Sequence, residues 1–191
     1  MIDEELRDRV FSEIAAQVSP YDSWRGHLGA SIIADNCDRK AYYTFHWHSH
    51  RKKPAGPDHD PNIGRIAMLL DRGTREEEPV IASLRVSGIY ISEYKDPRRK
   101  RQWSFKDPTN PAFAGSCDGF GTLTDGTSFI LEIKTANRKN FRKFKKKGIL
   151  LGNAKDFGQA QSYMRWSLTH GNPVDRTLFV IVQKDDDDRH Y

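Results

Sequence analysis

The chain of 191 residues has only two cysteines, Cys37 and Cys117, and no apolar run near the ~20 residues that cross a bilayer. Two thiols cannot supply the four ligands of a usual thiolate metal cage, and so few cysteines favour a reducing compartment. The N-terminal residues, Met1 to Glu5, lack the basic-then-apolar pattern of a secretion signal. We therefore expect a cytoplasmic protein without a membrane partner, folded as a single domain over residues 1–191.

Segments in which basic and acidic residues alternate are also scarce, because the two kinds of charge are segregated into separate blocks. The formal net charge is +5, with basic blocks at Arg98–Arg101 and Arg138–Lys147 and acidic runs at 76–78 and 185–188. Such segregation favours a polyanionic partner. A solvent-exposed helix face is the usual alternative explanation for a charge run.

The order of periodic segments predicts an α/β fold with a mixed sheet. Residues 1–62 form an N-terminal helical part and loop, 63–184 a core, and 185–191 a turn-like acidic end. The expected helices cover 3–18, 31–45 with Ser31 as N-cap, 64–87 with a bend at Gly73 or Pro79 and an end at Gly88, and 155–169. The expected strands cover 89–94, 102–106, a hairpin at 115–134, and 177–183; residues 49–62 are expected to form a loop.

The most informative pattern is the hairpin, with Asp118 on its first strand and Glu132-Ile-Lys134 on its second. Side-chain alternation places Glu132 and Lys134 on one face and turns Leu131 and Ile133 into the core. Carboxylates bind hard divalent cations, and a lysine beside them can orient or polarise water. Exposed hairpins also carry such pairs, but a buried apolar strand rarely includes an acid and a lysine without a role. The pattern therefore favours metal-dependent phosphodiester cleavage.

The length of the hairpin loop decides whether the two acids share a face. A two-residue turn at 125–126 would set Asp118 opposite Ile133, on the wrong face. A three-residue loop at 124–126, with its glycine in the left-handed region, sets Asp118 opposite Glu132. We therefore predict the three-residue loop, or a bulge of equal effect at Gly119 or Gly121.

With these motifs the sequence resembles the PD-(D/E)XK nuclease superfamily, in its RecB-like and lambda-exonuclease-like branch. Motifs in the expected order carry the resemblance between about Arg25 and Lys184: Gly29–Lys40, Gly73–Glu77, Asp118 with Glu132–Lys134, and Gln159–Tyr163. The resemblance implies a restriction-endonuclease-like core, in which helices flank a central mixed β-sheet.

The resemblance also implies a role for each matching residue. Asp118, Glu132 and the backbone carbonyl of Ile133 would bind one or two Mg²⁺ or Mn²⁺ ions, with Glu77 as an auxiliary ligand. Lys134 would position the attacking water. The catalytic set would be completed by two residues one helical turn apart, which would steady Lys134 and touch a DNA phosphate: Gln159 and Tyr163.

Two groups of residues are expected to contact DNA. By resemblance to exonucleases that recognise a 5′ end, Arg25, Ser31 and Arg39 would form a terminal phosphate pocket, although Ser31 alternatively serves only as a helix cap. The dense basic block directly follows Lys134, so its side chains would grip phosphates beside the site: Arg138, Lys139, Arg142, Lys143 and Lys145.

One departure from the resemblance concerns cofactors. Related CRISPR-associated RecB-like nucleases hold an iron–sulfur cluster on four cysteines, one near position 37 and three near the C-terminus. Cys37 has no late partners in this sequence, so no iron–sulfur cluster is expected.

These features together predict a metal-dependent DNA nuclease, with an exonuclease acting on DNA ends in phage or bacterial recombination or repair as the first choice. The alternatives left open are a structure-specific or single-strand endonuclease, an RNA or nucleotide phosphohydrolase, and a catalytically silent DNA-binding module of the same fold. The expected partners are DNA and either a second copy of the chain or a single-strand annealing or recombination protein.

Overall fold

The computed structural model describes residues 4–17, 27–35, 37–47, 61–171, 173–184 and 189–190. In these ranges it has an α/β fold with mixed sheets flanked by helices, which confirms the predicted fold class. Within the same ranges, no helix has both the length and the apolar character that a membrane span requires. Arg25 and most of the predicted 49–62 loop lie outside the described residues.

Five helices are described before residue 87, and the short strand Leu28–Gly29 lies between the first two: α1 Glu4–Gln17, α2 Ala30–Ile33, α3 Asp38–Trp47, α4 Pro61–Arg75 and α5 Glu77–Val86. The predicted helix over 31–45 is wrong, because the chain leaves the helix after α2. The carboxylate of Asp35 lies in this break and pairs with Lys40 (Nζ–Oδ2 2.6 Å). Ser31 lies inside α2, and extended Gly29 is the N-cap residue, so the prediction that Ser31 caps the helix is also wrong.

The predicted bent helix over 64–87 is two helices separated by the single residue Glu76. Pro79 lies in the first turn of α5, where its missing N–H costs no helical hydrogen bond. The predicted end at Gly88 is confirmed. Gly88 has a φ of 85° and donates its N–H to the carbonyl of Arg85 (3.0 Å), while Ile89 donates to that of Leu84 (3.1 Å).

The strands of the described residues are β1 Leu28–Gly29, β2 Tyr90–Ser92, β3 Tyr94–Asp96, β4 Arg101–Gln102, β5 Ser104–Lys106, β6 Phe113–Ser116, β7 Gly119–Thr122, β8 Ser128–Ala136, β9 Thr177–Gln183 and β10 Arg189–His190. Five of them form a sheet in the order β10-β9-β8-β7-β2, in which the pair β8–β9 is parallel and the other pairs are antiparallel. A three-stranded sheet has the order β1-β6-β5, and β3 pairs with β4.

Two predicted strands are each divided in the structure, and one is matched at both ends. The 89–94 strand separates into β2 and β3, and the 102–106 strand into β4 and β5, because the basic hairpin β3–β4 leaves the main sheet. The predicted strand over 177–183 is β9. The last crossover, from β8 to the parallel β9, contains two helices, α6 Arg138–Gly152 and α7 Ala154–Ser167.

The central strand β8 is buried on both faces, which explains its nearly continuous apolar sequence. Leu131 and Ile133 pack in the cluster that includes α5, whereas Ile130 packs with Tyr163 and Trp166 of α7. Each buried aliphatic side chain of this kind contributes roughly 1.5–3 kcal/mol. β8 therefore presents its second face to α7, and any polar side chain on that face is enclosed.

Gly121 is required by its cross-strand neighbour, because a Cβ there would lie 2.2 Å from the ring of Phe129. We expect Gly121→Ala to displace this buried ring and to lower the free energy of unfolding by about 1–3 kcal/mol. Gly73→Ala is the matched control, since Gly73 lies in the last turn of α4 and its Cβ would meet nothing closer than Thr135 Oγ1 at 3.8 Å. The control should gain ~0.5–1 kcal/mol. Urea unfolding measures both, and equal midpoints for Gly121→Ala and the wild type would contradict this packing.

Candidate functional site

The hairpin has the three-residue loop that the sequence predicts. Leu123 donates its N–H to the carbonyl of Thr127 (2.8 Å), so the loop is 124–126, and its last residue, Gly126, has a φ of 86°. The register pairs Gly119 with Leu131. One step further out, the same register sets Asp118 opposite Glu132, so both acids are directed to the face that α7 covers.

Asp118 lies immediately before β7 and is bonded across the hairpin. Its Oδ2 accepts the backbone N–H of Ile133 at 2.7 Å. This bond holds the Asp118 carboxylate beside the peptide unit between Glu132 and Ile133. The carboxylate, the Glu132 side chain and the Ile133 backbone are therefore close together, as the resemblance requires.

Glu132 and Lys134 form an ion pair beneath α7. Glu132 is 1% exposed, and its Oε2 lies 2.9 Å from Lys134 Nζ. Lys134 also donates to Oε1 of Gln159 at 3.5 Å, and Gln159 Nε2 lies 3.5 Å from Glu132 Oε2. Gln159 thus contacts both members of the pair from the facing helix.

Tyr163 fixes the orientation of Gln159. Gln159 Nε2 donates to the Tyr163 hydroxyl (2.9 Å), which donates to the carbonyl of Ser116 (2.7 Å). Because the hydroxyl gives its proton to a carbonyl, it accepts from the amide, and the amide oxygen is left to face Lys134. A hydrogen-bonded chain therefore runs from the hairpin through α7 back to the lysine on β8.

The electrostatics of the site are dominated by an excess of carboxylates. Burial raises the pKa values of Glu132, Asp118, Asp156 and Glu77, and that of Glu77 reaches about 7. The charge of Asp118 raises the pKa values of Glu132 and Glu77 further, whereas Lys134 lowers all four. Burial disfavours the Lys134 ammonium, but the neighbouring carboxylates outweigh it and raise the pKa of Lys134. Four carboxyl groups therefore share one ammonium, and their raised pKa values show that keeping all four ionised without a further cation is unfavourable.

The residues present fit a divalent cation. Glu132 Oε1 is buried and has no hydrogen-bond partner among the described residues. Leaving a buried acceptor unsatisfied costs about 1–3 kcal/mol, more when it is charged. Carboxylate and carbonyl oxygens are the donors that Mg²⁺ and Mn²⁺ prefer, and Asp118, Glu132 and the Ile133 backbone supply them. A bound cation would give Glu132 Oε1 a partner and would offset the negative charge of the ionised acids.

The fit does not amount to a closed metal cage. In the ranges that the structure describes, no three Asp, Glu, His or Cys side chains converge as a ready metal-binding group. Glu132 is engaged with Lys134 and Asp118 with Ile133. Glu77 is linked to this group by the effect of the Asp118 and Lys134 charges on its pKa, so its role as auxiliary ligand stays a prediction.

Asp156 is a member of this cluster that sequence reasoning missed. It lies one turn before Gln159 on α7, and its Oδ2 accepts from the side-chain amide of Asn153 (2.6 Å). Its charge acts on both Glu132 and Lys134. The i to i+3 spacing to Gln159 is the signal that would have found it.

The predicted phosphate contacts lie on different elements. Arg138, Lys139, Arg142, Lys143 and Lys145 are all exposed on α6, two residues beyond the end of β8, while Phe141 and Phe144 of the same helix are buried. Ser31 is partly buried in α2 and Arg39 is exposed on α3. Arg25 is outside the described residues, so the terminal phosphate pocket is a prediction that the structure does not test.

No protein-family model matches the chain, and no curated protein sequence is similar to it. Among solved structures, the crystal structure of SSO0001 is similar, with 16% sequence identity and a TM-score of 0.49. The similarity covers 100% of this chain and 76% of that chain. A likeness at this level says nothing about the site or its chemistry.

The raised pKa of Glu77 makes stability depend on pH. Because the folded protein holds this proton more tightly than the unfolded chain, the contribution of Glu77 to stability is greatest below pH 4.5 and falls as the pH rises to about 7. We expect Glu77→Gln to remove this fall. Between pH 5 and pH 8, the free energy of unfolding of the wild type should fall by on the order of 1 kcal/mol relative to that of the variant. The full pKa shift corresponds to ~3 kcal/mol, and solvent screening of a half-buried group reduces this value.

The measurement is urea unfolding in EDTA at both pH values, with Glu78→Gln as the control for loss of an exposed carboxylate from the same helix turn. If Glu77→Gln followed the pH profile of the wild type, Glu77 would not share the field of Asp118.

Proposed function

We propose that the chain is a metal-dependent DNA nuclease of the RecB-like branch of the PD-(D/E)XK superfamily, most simply an exonuclease acting on DNA ends. The observation that carries the proposal is the enclosed Glu132–Lys134 pair, set opposite Asp118 and contacted by Gln159. An ion pair that only stabilises the fold needs neither further acids nor a carboxylate oxygen without a partner. A metal-dependent phosphodiesterase needs several acids, and it needs a carboxylate oxygen that is free to bind a cation.

Asp118, Glu132 and the carbonyl of Ile133 would hold the metal, with Glu77 as an auxiliary ligand. A bound Mg²⁺ or Mn²⁺ would supply Lewis-acid stabilisation of the phosphoryl and leaving oxygens and a lowered pKa for water. Asp118 is held in position for this role by the Ile133 N–H. The apolar side chains on the other face of β8 keep the strand rigid beneath the two acids.

Lys134 orients the attacking water, and its ammonium stabilises negative charge at the phosphate. Its own orientation depends on Gln159, whose amide oxygen accepts from it, and Gln159 in turn depends on Tyr163. Loss of either α7 side chain would therefore loosen Lys134 without removing a metal ligand. Five exposed basic side chains of α6 attract the DNA backbone to the same edge of β8: Arg138, Lys139, Arg142, Lys143 and Lys145.

We expect Glu132→Gln and Lys134→Gln each to lower the rate of DNA cleavage by at least ~100-fold, since each removes charge from the reacting centre. The assay uses end-labelled linear DNA and covalently closed circular DNA with Mg²⁺, Mn²⁺ or EDTA. Cleavage should require metal and be confined to linear DNA. Glu78→Gln, an exposed acid-to-amide change, is the matched control and should retain wild-type activity.

Cutting of closed circles would reassign the activity to an endonuclease. DNA binding without cleavage by a folded wild type under every metal condition would replace the nuclease with a silent binding module. Thermal unfolding of each variant separates lost chemistry from lost structure.

A further inference from the structure

A cavity of about 600 Å³ opens between the end of α2, the outer face of α6 and the start of α7. We call it the α6–α7 cavity. Residues from distant parts of the sequence line it: Asp35, Asn140, Lys143, Leu150, Leu151 and Lys155 among them. The kink at Gly148 (φ 66°, ψ 178°) separates the basic part of α6 from the segment that carries the two leucines.

The α6–α7 cavity adjoins the candidate site along α7. Lys155 lies one turn before Gln159, ~6 Å along the helix axis, and Gln159 contacts the Glu132–Lys134 pair. Asp156, next to Lys155, acts by charge on the same pair. The cavity therefore adjoins the segment of α7 that contacts the reacting centre.

The walls of the cavity are basic. Lys143 and Lys155 line it, and Lys40 lies beside it through its contact with Asp35. Asp35 is the acid of this wall, and it is offset by Lys40 at 2.6 Å and Lys155 at 3.8 Å. The balance of these four side chains is positive, which suits a phosphate backbone.

The rim of the cavity is apolar. Leu150 and Leu151 are 52% and 70% exposed in a chain whose mean hydropathy is −0.75. Exposed aliphatic side chains beside ammonium groups match a ligand that presents charge on one side and base faces on the other. Apolar side chains of this kind insert between or against bases in protein–DNA complexes.

A second cavity, of about 610 Å³, is similar in size to the α6–α7 cavity but differs from it in the charge of its lining. It is lined by residues of α5, β2 and β3, and its one lining cation, Arg85, is paired with Glu93 (2.8 Å) and bonded to the carbonyl of Ile91 (2.9 Å). Its charges cancel within the protein. Size alone therefore does not select the α6–α7 cavity; the excess of lysines over acids along its wall and its position do.

We propose that the α6–α7 cavity holds a single DNA strand leading to the site, with phosphates on Lys143 and Lys155 and bases against Leu150 and Leu151. The proposal rests on the proposed nuclease function and narrows its substrate to an unpaired strand or a frayed end. A cavity of about 600 Å³ has room for part of one strand, whereas a B-form duplex is wider than its own ~12 Å major groove.

The test is fluorescence anisotropy in EDTA, where binding is measured without cleavage. The probes are a 12-nucleotide single strand, the same strand made abasic, and a blunt hairpin duplex. Lys143→Ala and Lys155→Ala should each weaken single-strand binding about 3- to 10-fold and reduce the slope of log affinity against log salt by about 0.7. Lys146→Ala, exposed on the same helix but outside the cavity lining, should change binding less than about 2-fold.

The leucines are tested by Leu151→Gln, which should weaken binding of the normal strand and leave that of the abasic strand unchanged. Equal losses for Lys143→Ala and Lys146→Ala, or losses confined to the duplex, would overturn the proposal. So would conversion of a dimer to a monomer by Leu151→Gln in sedimentation, since the leucines would then belong to an interface between copies.

The two proposals fail separately. If Lys143→Ala binds single strands as the wild type does while Glu132→Gln abolishes cleavage, the cavity assignment is wrong and the nuclease stands. If the wild type neither binds nor cleaves DNA, both are wrong. Urea midpoints confirm that each variant is folded, as expected for exposed or partly buried positions.

Discussion

The arrangement of the candidate site depends on the carboxylate of Glu132, although burying this group does not stabilise the fold. Glu132 is enclosed in the central strand, and taking a charge out of water costs several kcal/mol even when it is paired. Lys134 and Gln159 offset part of this cost, but Glu132 Oε1 stays without a partner among the described residues. A buried ion pair adds little to stability, since apolar side chains of similar volume in place of both partners are often at least as stable. Glu132 is therefore best explained by a role outside folding.

The fold supplies the setting for that carboxylate through two rigid attachments. The three-residue hairpin loop fixes the register that brings Asp118 opposite Glu132, and the Ile133 N–H holds Asp118 there. The crossover from β8 to β9 then lays α7 over the same face, so Gln159 and Tyr163 reach the pair from above. Sheet and helix thus constrain Lys134 from two directions, as the orientation of a catalytic group requires.

Local sequence determined much of this arrangement, whereas packing between distant elements determined the rest. The hairpin register and the helix end at Gly88 are set by backbone rules that act over a few residues, so both were predictable. The break at Asp35 was not predicted, and the separation of α4 from α5 at Glu76 was predicted only as a bend at Gly73 or Pro79, because neither break falls at a proline or glycine. The α6–α7 cavity could not be predicted from the sequence either. Its lining joins Asp35 to Lys143 and Lys155, residues far apart in sequence whose proximity only the folded crossover creates.

The charge distribution links substrate binding to the cation under the proposed function. The walls at α6 and the start of α7 are positive, while the centre combines several carboxylates with the single ammonium of Lys134. A phosphate drawn along Lys143 and Lys155 would meet repulsion at its destination unless the central charge were offset. A divalent cation would offset it and would satisfy the free oxygen of Glu132 at the same position. The basic walls would therefore hold DNA without metal, but the scissile phosphate would settle between Asp118 and Lys134 only with metal bound. Under the proposed function, affinity and catalysis would thus depend on different residues, and removing the cation would abolish catalysis while sparing most of the affinity.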